Sequence, residues 1–396
     1  MRFKYRQFEK INISSALFIL ALIMFIFTSV LDYSVFGFSE SGVPTQFNYI
    51  TKMIRYAAYL LCVVKVFYES FYRRKGIVLL MISIGIVLLS YLGSSNQTMI
   101  LSTLLFVAVI GVDSDHVIKT AFWTKLILVS VIVIGSQIGL ITDYVSQDER
   151  LRHFLGFSWT TTGAILALFI MFEYIYIRRG EISLIESTLM IGICYYFYRM
   201  TDARFAFAVG LATVLFFLLF KKLVAKGYVI KRLSSIMVLM PQIIGVFAFW
   251  LHSSYDPRNP IMYKLNDLLS DRLQLGKQAI AQYGVSLFGQ PIKWIGHNMS
   301  GKLKGKYNYV DCSYVQIMLE YGLLLLLLGL IIYSVIIYFS IKTRRYYLTW
   351  LVLIILLFSI SEPRLFNLTY NSFMLLSVSF VSCYQNNDKK GRKLYE

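Results

Sequence analysis

Charge is scarce in this chain. Only 15% of its 396 residues are Asp, Glu, Lys or Arg, against 57% hydrophobic residues, and the mean hydropathy is +0.63. Water-soluble domains are normally about one quarter charged, so the shortage excludes an exterior that faces water throughout. Cysteine is equally thin: Cys62, Cys194, Cys312 and Cys383 stand singly with no C-x-x-C pair, which argues against a disulfide framework or a metal knuckle. There is no G-x-x-x-x-G-K-[ST] phosphate loop, no H-E-x-x-H and no cofactor fingerprint, so nothing points to ATP, and neither a metal nor a cofactor is expected. No internal repeat is visible.

What the chain has instead is a recurring apolar run. At roughly 20 apolar residues per helix crossing a bilayer, its length holds about a dozen helices. Hydropathy places candidate spans at 12–31, 51–72, 76–92, 98–112, 121–141 and 160–177. Six more follow at 181–198, 205–220, 233–251, 313–339, 346–360 and 368–384. The expected fold class is all-α, a polytopic bundle of about 12 spans forming one integral membrane domain over 1–396. A large loop at 252–312 separates the ninth span from the tenth. The first apolar run is of full span length and lacks a small-residue cleavage site, so an uncleaved first helix is expected.

Basic residues in short loops stay on the cytoplasmic side. Clusters stand at Arg2/Lys4/Arg6/Lys10, Arg73/Arg74/Lys75, Arg178/Arg179, Lys221/Lys222/Lys226/Lys231/Arg232, Lys342/Arg344/Arg345 and Lys389/Lys390/Arg392/Lys393. All fall at even-numbered crossings, which puts both termini inside. The net charge of +18 is then a topology signal directed at an anionic membrane surface, and no nucleic-acid partner follows from it. Asp113-Ser114-Asp115 copies the acidic pair with which soluble glycosyltransferases hold a metal, but the charge rule puts it in a short cytoplasmic loop.

The outer segments are 32–50, 142–159, the long stretch from His252, and two tight corners at 200–204 and 361–367. The second carries Asp143, Asp148, Glu149, Arg150, Arg152 and His153. The long stretch holds Arg258, Lys264, Arg272, Lys277, Lys293, Lys302, Lys304 and Lys306 against four aspartates. Orientation does not explain that basic surplus; an anionic ligand on the outer face would. Within the long stretch, Leu265 to Tyr283 reads as one amphipathic helix lying at the interface. Arg272 interrupts its apolar face. A guanidinium there needs an anion: a lipid phosphate, or else Asp271 or a carboxylate on a neighbouring helix. Arg204 similarly follows Thr201-Asp202 and begins an apolar run, so it either snorkels to the interface or points into a cavity.

Leu268-Leu269-Ser270-Asp271-Arg272-Leu273, Tyr283-Gly284, Leu287-Phe288-Gly289, Val310-Asp311-Cys312-Ser313-Tyr314, Glu320-Tyr321-Gly322 and Thr201-Asp202-Ala203-Arg204 together resemble the Wzy-type polysaccharide polymerases. These are grouped with the O-antigen ligases among multi-spanning glycosyltransferases. The family commonly shows Thr-Asp-Ser-Arg and Leu-Leu-Ser-Gly-Arg; this chain keeps both arginines and has Ala203 and Asp271 at the variable places. The resemblance implies polymerisation of undecaprenyl-diphosphate-linked oligosaccharide units at the outer face of a bacterial plasma membrane. A flippase and a chain-length regulator of the same pathway are the implied partners, beside membrane lipid. Within it, Arg204 and Arg272, then Arg150, Arg152 and His153, are the candidates for holding diphosphate. Asp311, with Tyr314 behind it, then His297, His153 and Glu362, are the candidates for removing the hydroxyl proton. Asp311 has the alternative of capping the helix that begins at Ser313. The competing functions are a ligase that transfers finished polymer and a transporter of lipid-linked oligosaccharide.

Overall fold

The computed structural model describes residues 13–37, 45–73, 85, 88, 91–94, 98–146, 151–296 and 307–382. Among these the regular structure is helical, and the only strand-like pairings are two isolated bridges, Ser34 with Phe157 and Val145 with His153. In chain order the helices are α1 (Ile13–Asp32), α2 (Thr45–Arg73), α3 (Thr98–Ala108), α4 (Ser114–Gln137), α5 (Thr162–Ile177), α6 (Leu184–Thr201) and α7 (Arg204–Leu219). They continue as α8 (Lys221–Lys226), α9 (Tyr228–Arg232), α10 (Ser234–Ser253), α11 (Pro260–Leu268), α12 (Arg272–Tyr283), α13 (Ser313–Tyr321), α14 (Leu323–Lys342) and α15 (Tyr346–Phe358). A last apolar helix, α16, covers Ser372–Ser382 and opens with a 3-10 turn.

Four of these are long and apolar enough to cross a membrane: α1, α4, α10 and α14. A fifth candidate joins α7 to the α8–α9 segment across a 74° bend. The expected twelve spans are therefore not supported. The shortfall has two physical causes. Several apolar runs are interrupted by polar residues or glycine before they reach span length: α15 stops at Phe358, before Ser359 and Ser361, and α13 stops at Gly322. The run at 51–72 forms a long helix, but Lys52, Arg55, Lys65 and Glu69 lie along it. The expected span at 76–92 lies largely outside the described residues.

Which faces the helices hide distinguishes core from shell. In α5 every residue except Ala167, Tyr174 and Ile177 is buried, the behaviour of a helix apolar all round and surrounded by protein. By contrast α4 leaves Trp123, Ile127, Val131 and Ile134 exposed at 58–60%, and its C-cap Ile138 at 64%. Their spacing of three and four puts them on one face. Exposed apolar stripes of this kind, repeated on α10 at Ile236, Leu239, Ile243, Val246, Phe247 and Trp250, fit contact with lipid. The chain is a helical membrane-embedded protein.

One end of the bundle is tied by Arg345, whose Nη1 donates to Asp115 Oδ1 at 3.0 Å, Ser114 Oγ at 3.1 Å and Tyr176 Oη at 2.9 Å. Asp113 caps α4 here, its Oδ1 accepting from Asp115 N at 2.8 Å, so this acidic run is structural. At the opposite end the segment between α15 and α16 does not stay on the surface. Leu365, Tyr370 and Asn371 are wholly buried, and Tyr370 O accepts a hydrogen bond of 2.9 Å from Lys125, halfway along α4. Non-helical backbone at that depth must find partners within the protein. Lys125 is one such partner, itself paired with Glu173 of α5 at 2.5 Å and wholly buried with it. Tyr333 of α14 supplies another by donating to Leu365 O at 2.7 Å.

Candidate functional site

The stretch expected to form one amphipathic helix from Leu265 to Tyr283 is two helices, α11 and α12. Leu269 ends the first, and Ser270 and Asp271 take left-handed backbone angles, φ 54° and 63°. Such angles are unfavourable for residues with a Cβ and are held in place by Asn266. Its Nδ2 donates to Asp271 Oδ1 at 2.8 Å, its Oδ1 accepts from Gln274 N at 3.0 Å, and its carbonyl accepts from Asp271 N at 2.9 Å. Helix α12 packs on α10 through Gly276, where a Cβ would collide with the His252 ring. The break re-aims Arg272: it becomes the first residue of α12 and turns inward.

There Arg272 meets two carboxylates. Its Nε lies 3.3 Å from Asp311 Oδ2 and its Nη1 lies 3.1 Å from Glu362 Oε1, while Nη1 also donates to the Ser361 carbonyl. The same-protein carboxylate considered as an alternative to lipid phosphate is thus what the guanidinium contacts. Asp311 does not cap α13; the N-cap is Cys312 and makes no side-chain cap bond. The cap region is instead stitched by Ser313, whose Oγ donates to Glu362 O at 2.5 Å and accepts from Leu365 N at 3.1 Å. That stitch fixes Asp311 and Glu362 on the two sides of Arg272.

All three groups are shielded, with side-chain exposures of 20% for Arg272, 21% for Asp311 and 7% for Glu362. Burial pushes the Asp311 carboxyl above its ordinary range, and Arg272 and Arg364 pull it partly back. Burial pushes Glu362 up too, Arg272 opposes this, and the neighbouring Asp311 adds to the rise. The arrangement is a pair of interacting carboxyls that share one guanidinium, with proton affinity above that of free carboxylates.

Aromatic side chains wall the cluster. Trp294 stacks edge-on with Tyr283 and Tyr309 at 6.0 and 6.4 Å, and its Nε1 donates to Glu320 Oε2 at 2.7 Å. Asn308 joins the wall by donating to Tyr283 Oη at 2.7 Å. On the other side Tyr33 lies 5.3 Å from Tyr370, and Asn367 donates to Tyr33 Oη at 2.8 Å. Arg364 sits over the Tyr370 ring, 4.8 Å from its centroid.

The other expected site residues stand apart from this cluster. Arg204 is 63% exposed and pairs with Asp202 at 3.0 Å, although its neighbour Phe205 stacks on Phe358 at the end of α15, 5.4 Å between centroids. His153 Nδ1 lies 2.6 Å from Asp143 Oδ2, and the other oxygen of Asp143 accepts from Leu155 N at 2.7 Å. Arg152 lies next to it with its main-chain N–H on Ser146 Oγ at 3.2 Å. Tyr314 does not face the cluster: it is wholly buried, and its hydroxyl donates to Leu356 O at 2.8 Å. Arg150 and His297 lie outside the described residues.

Two groups escaped notice in the sequence. Arg364 belongs to Glu362-Pro363-Arg364, a charged knot inside a corner between two apolar runs, and that local concentration of charge was the available signal. Glu173 is a single carboxylate in an otherwise apolar run, the same kind of signal in weaker form. No protein-family model, curated protein or solved structure matches the chain.

Proposed function

We propose that this chain is a membrane glycosyltransferase that polymerises undecaprenyl-diphosphate-linked oligosaccharide units into a surface polysaccharide. The observation that carries the reading is the meeting of Arg272, Asp311 and Glu362 in one shielded, aromatic-walled cluster. They come from three distant stretches, two of which hold the motifs of the resemblance. In this reading the cluster faces the outside of a bacterial plasma membrane. The opposite end carries Arg178, Lys221, Lys222, Lys342, Arg344 and Arg345, as the positive-inside rule favours.

The reaction needs little covalent help from the protein, because diphosphate is a good leaving group. A non-reducing-end hydroxyl of the incoming unit attacks the anomeric carbon of the growing chain. The bond from that carbon to the diphosphate oxygen breaks, and undecaprenyl diphosphate departs with the bonding electrons. The hydroxyl proton passes to Asp311 or Glu362, whose raised proton affinity suits a general base. Arg272 keeps the accepting carboxylate ionised until then and holds it in place. The aromatic wall of Trp294, Tyr283 and Tyr309 offers apolar faces with polar rims, which suit a sugar ring.

The test is conversion of a synthetic lipid-diphosphate repeat unit by the purified full-length protein in detergent, without nucleotide, followed as a ladder on a gel. Asp311→Asn and Glu362→Gln are expected to lower the rate by about 100-fold for whichever acts as base. A folded protein that forms no ladder overturns the reading. A second reading, transport of lipid-linked oligosaccharide, draws on the fully buried Lys125–Glu173 pair, since ionisable pairs inside a membrane bundle often mark transport routes. Movement of a labelled lipid-linked oligosaccharide across vesicles holding the protein would favour it.

A further inference from the structure

Arg272 spends its guanidinium on two carboxylates. Arg364 does not. Among the described residues no carboxylate lies within ion-pair distance of it, and its Nε is buried without a hydrogen-bond partner. Among the described residues its close partner is the Tyr370 ring, 4.8 Å from the guanidinium carbon. A guanidinium held over an aromatic face can still direct N–H groups toward an incoming anion. A buried donor left unmet on a shielded cation is costly unless an acceptor completes it.

The surroundings show the same incompleteness. The hydroxyl of Tyr370 is wholly enclosed and makes no hydrogen bond of good geometry, with only the Thr162 hydroxyl acting on it. Tyr309, Tyr33, Glu362 and Asp311 lie within electrostatic range of Arg364. Beneath it, the backbone is anchored: Lys125 holds Tyr370 O at 2.9 Å and Ser372 Oγ at 3.2 Å, and Asn371 Nδ2 donates to Tyr333 Oη at 2.8 Å and Leu365 O at 2.9 Å. Donors left open on a rigid support are what anion recognition requires.

We infer that Arg364 and Tyr370 form an anion-binding site for a phosphate-bearing ligand, with the Arg364 fork on two non-bridging phosphoryl oxygens and the Tyr370 hydroxyl on a third. Arg272 then serves as the positioning residue for Asp311 and Glu362 and is not the principal phosphate contact. The identity of the ligand as a lipid diphosphate rests on the proposed function; the site itself does not. Its location, next to the carboxyl pair, puts a bound phosphoryl group beside the proton acceptor.

The test measures binding to the full-length protein in detergent by calorimetry, with inorganic phosphate, inorganic pyrophosphate and a short-chain polyprenyl diphosphate as separate probes. Phosphatidylglycerol serves as a singly phosphorylated membrane lipid. Wild type is expected to bind pyrophosphate and the polyprenyl diphosphate. Arg364→Gln is expected to weaken both at least tenfold, Arg364→Lys to restore part of the loss, and Tyr370→Phe, which keeps the ring, to weaken them severalfold. Near-equal binding of phosphatidylglycerol would support a lipid-headgroup site rather than a diphosphate site. A folded Arg364→Lys or Tyr370→Phe protein that binds both probes as wild type does, or a wild type that binds none of the phosphates, overturns the inference. Ladder formation separates this from the enzymatic reading: binding lost in Arg364→Gln without any ladder in wild type keeps the site and removes the polymerase. A ladder with unchanged binding does the reverse.

Discussion

Arg272 Nη1 lies 3.1 Å from Glu362 Oε1, joining the start of α12 to the corner after α15. Because Glu362 is nearly enclosed, this contact holds the large loop region against the bundle as well as shaping the site. Removing one partner of a shielded pair leaves the other without compensation, at about 3 kcal/mol. Arg272→Met is expected to destabilise by roughly that amount, and Glu362→Gln by less, because Arg272 keeps Asp311 at 3.3 Å. Together they should destabilise by less than the sum, with a coupling of about 1–3 kcal/mol. Unfolding in detergent measures all three variants, and strictly additive effects would disprove the coupling.

Arg204 offers the contrast. Its pair with Asp202 is mostly solvent-exposed on the arginine side, and exposed pairs contribute about 0–1 kcal/mol. Arg204→Ala is expected to leave stability within about 0.5 kcal/mol of wild type and to retain binding of pyrophosphate. A loss of binding as large as that in Arg364→Gln would move the anion site toward α7.

The carboxyl pair predicts an uncommon pH dependence. Burial raises the proton affinity of Asp311 and Glu362 above that of the unfolded chain, so between the ordinary and the raised values the folded state binds more protons than the unfolded one. Stability from these groups is then full below the unfolded carboxylate range and is lost as pH rises through the folded values. Asp311→Asn should flatten that decline. Unfolding followed across pH 4 to 8 (about the range that brackets carboxyl titration) checks it, and an unchanged slope in the variant would count against the assignment.

Lys125 and Glu173 are wholly buried at 2.5 Å, with Lys125 also holding the Tyr370 carbonyl. Lys125→Met alone is expected to cost about 3–5 kcal/mol, because it strands a buried carboxylate. Lys125→Met with Glu173→Leu should recover much of that loss, less the hydrogen bond to Tyr370 O, worth about 1 kcal/mol. Folded yield and thermal unfolding of the two proteins report the difference; equal destabilisation would mean that the pair's charge is not the cause.

Gly322, between α13 and α14, has φ 93°, and a Cβ there would collide with the Leu287 carbonyl oxygen. Gly322→Ala is therefore expected to destabilise by about 2 kcal/mol, from strain and displaced backbone together. It should also disturb the neighbouring bonds from Leu323 N to Ser286 O at 2.9 Å and from Leu324 N to Leu287 O at 3.2 Å. Faster hydrogen exchange at Leu323 and Leu324 in the variant is the measurement.

Several features were readable from residue order because they depend on local composition. Apolar runs marked the helices, the corners at 200–204 and 361–367 were visible as polar breaks, and Arg272, Asp311 and Glu362 stood out as charges beside apolar runs. The break at Ser270 and Asp271 was not readable: the apolar residues on both sides of it, in 265–283, keep one helical phase despite Arg272, and it is Asn266, through its side chain and carbonyl, that sustains those backbone angles. The described helices support fewer spans than hydropathy suggested, for a related reason. Hydropathy registers how apolar a run is, and α5 and α15 are apolar because they are buried in protein, which the same residues cannot distinguish from burial in lipid.

Composition by itself determined that this chain is helical and embedded in a membrane, because transfer of apolar side chains out of water is additive along the sequence and needs no partner. The pairings of Arg272 with Asp311 and Glu362, of Lys125 with Glu173, and of Arg364 with the Tyr370 ring were decided only by tertiary structure. Charge interactions depend on distance and on what surrounds them, and neither is a property of a residue's place in the chain.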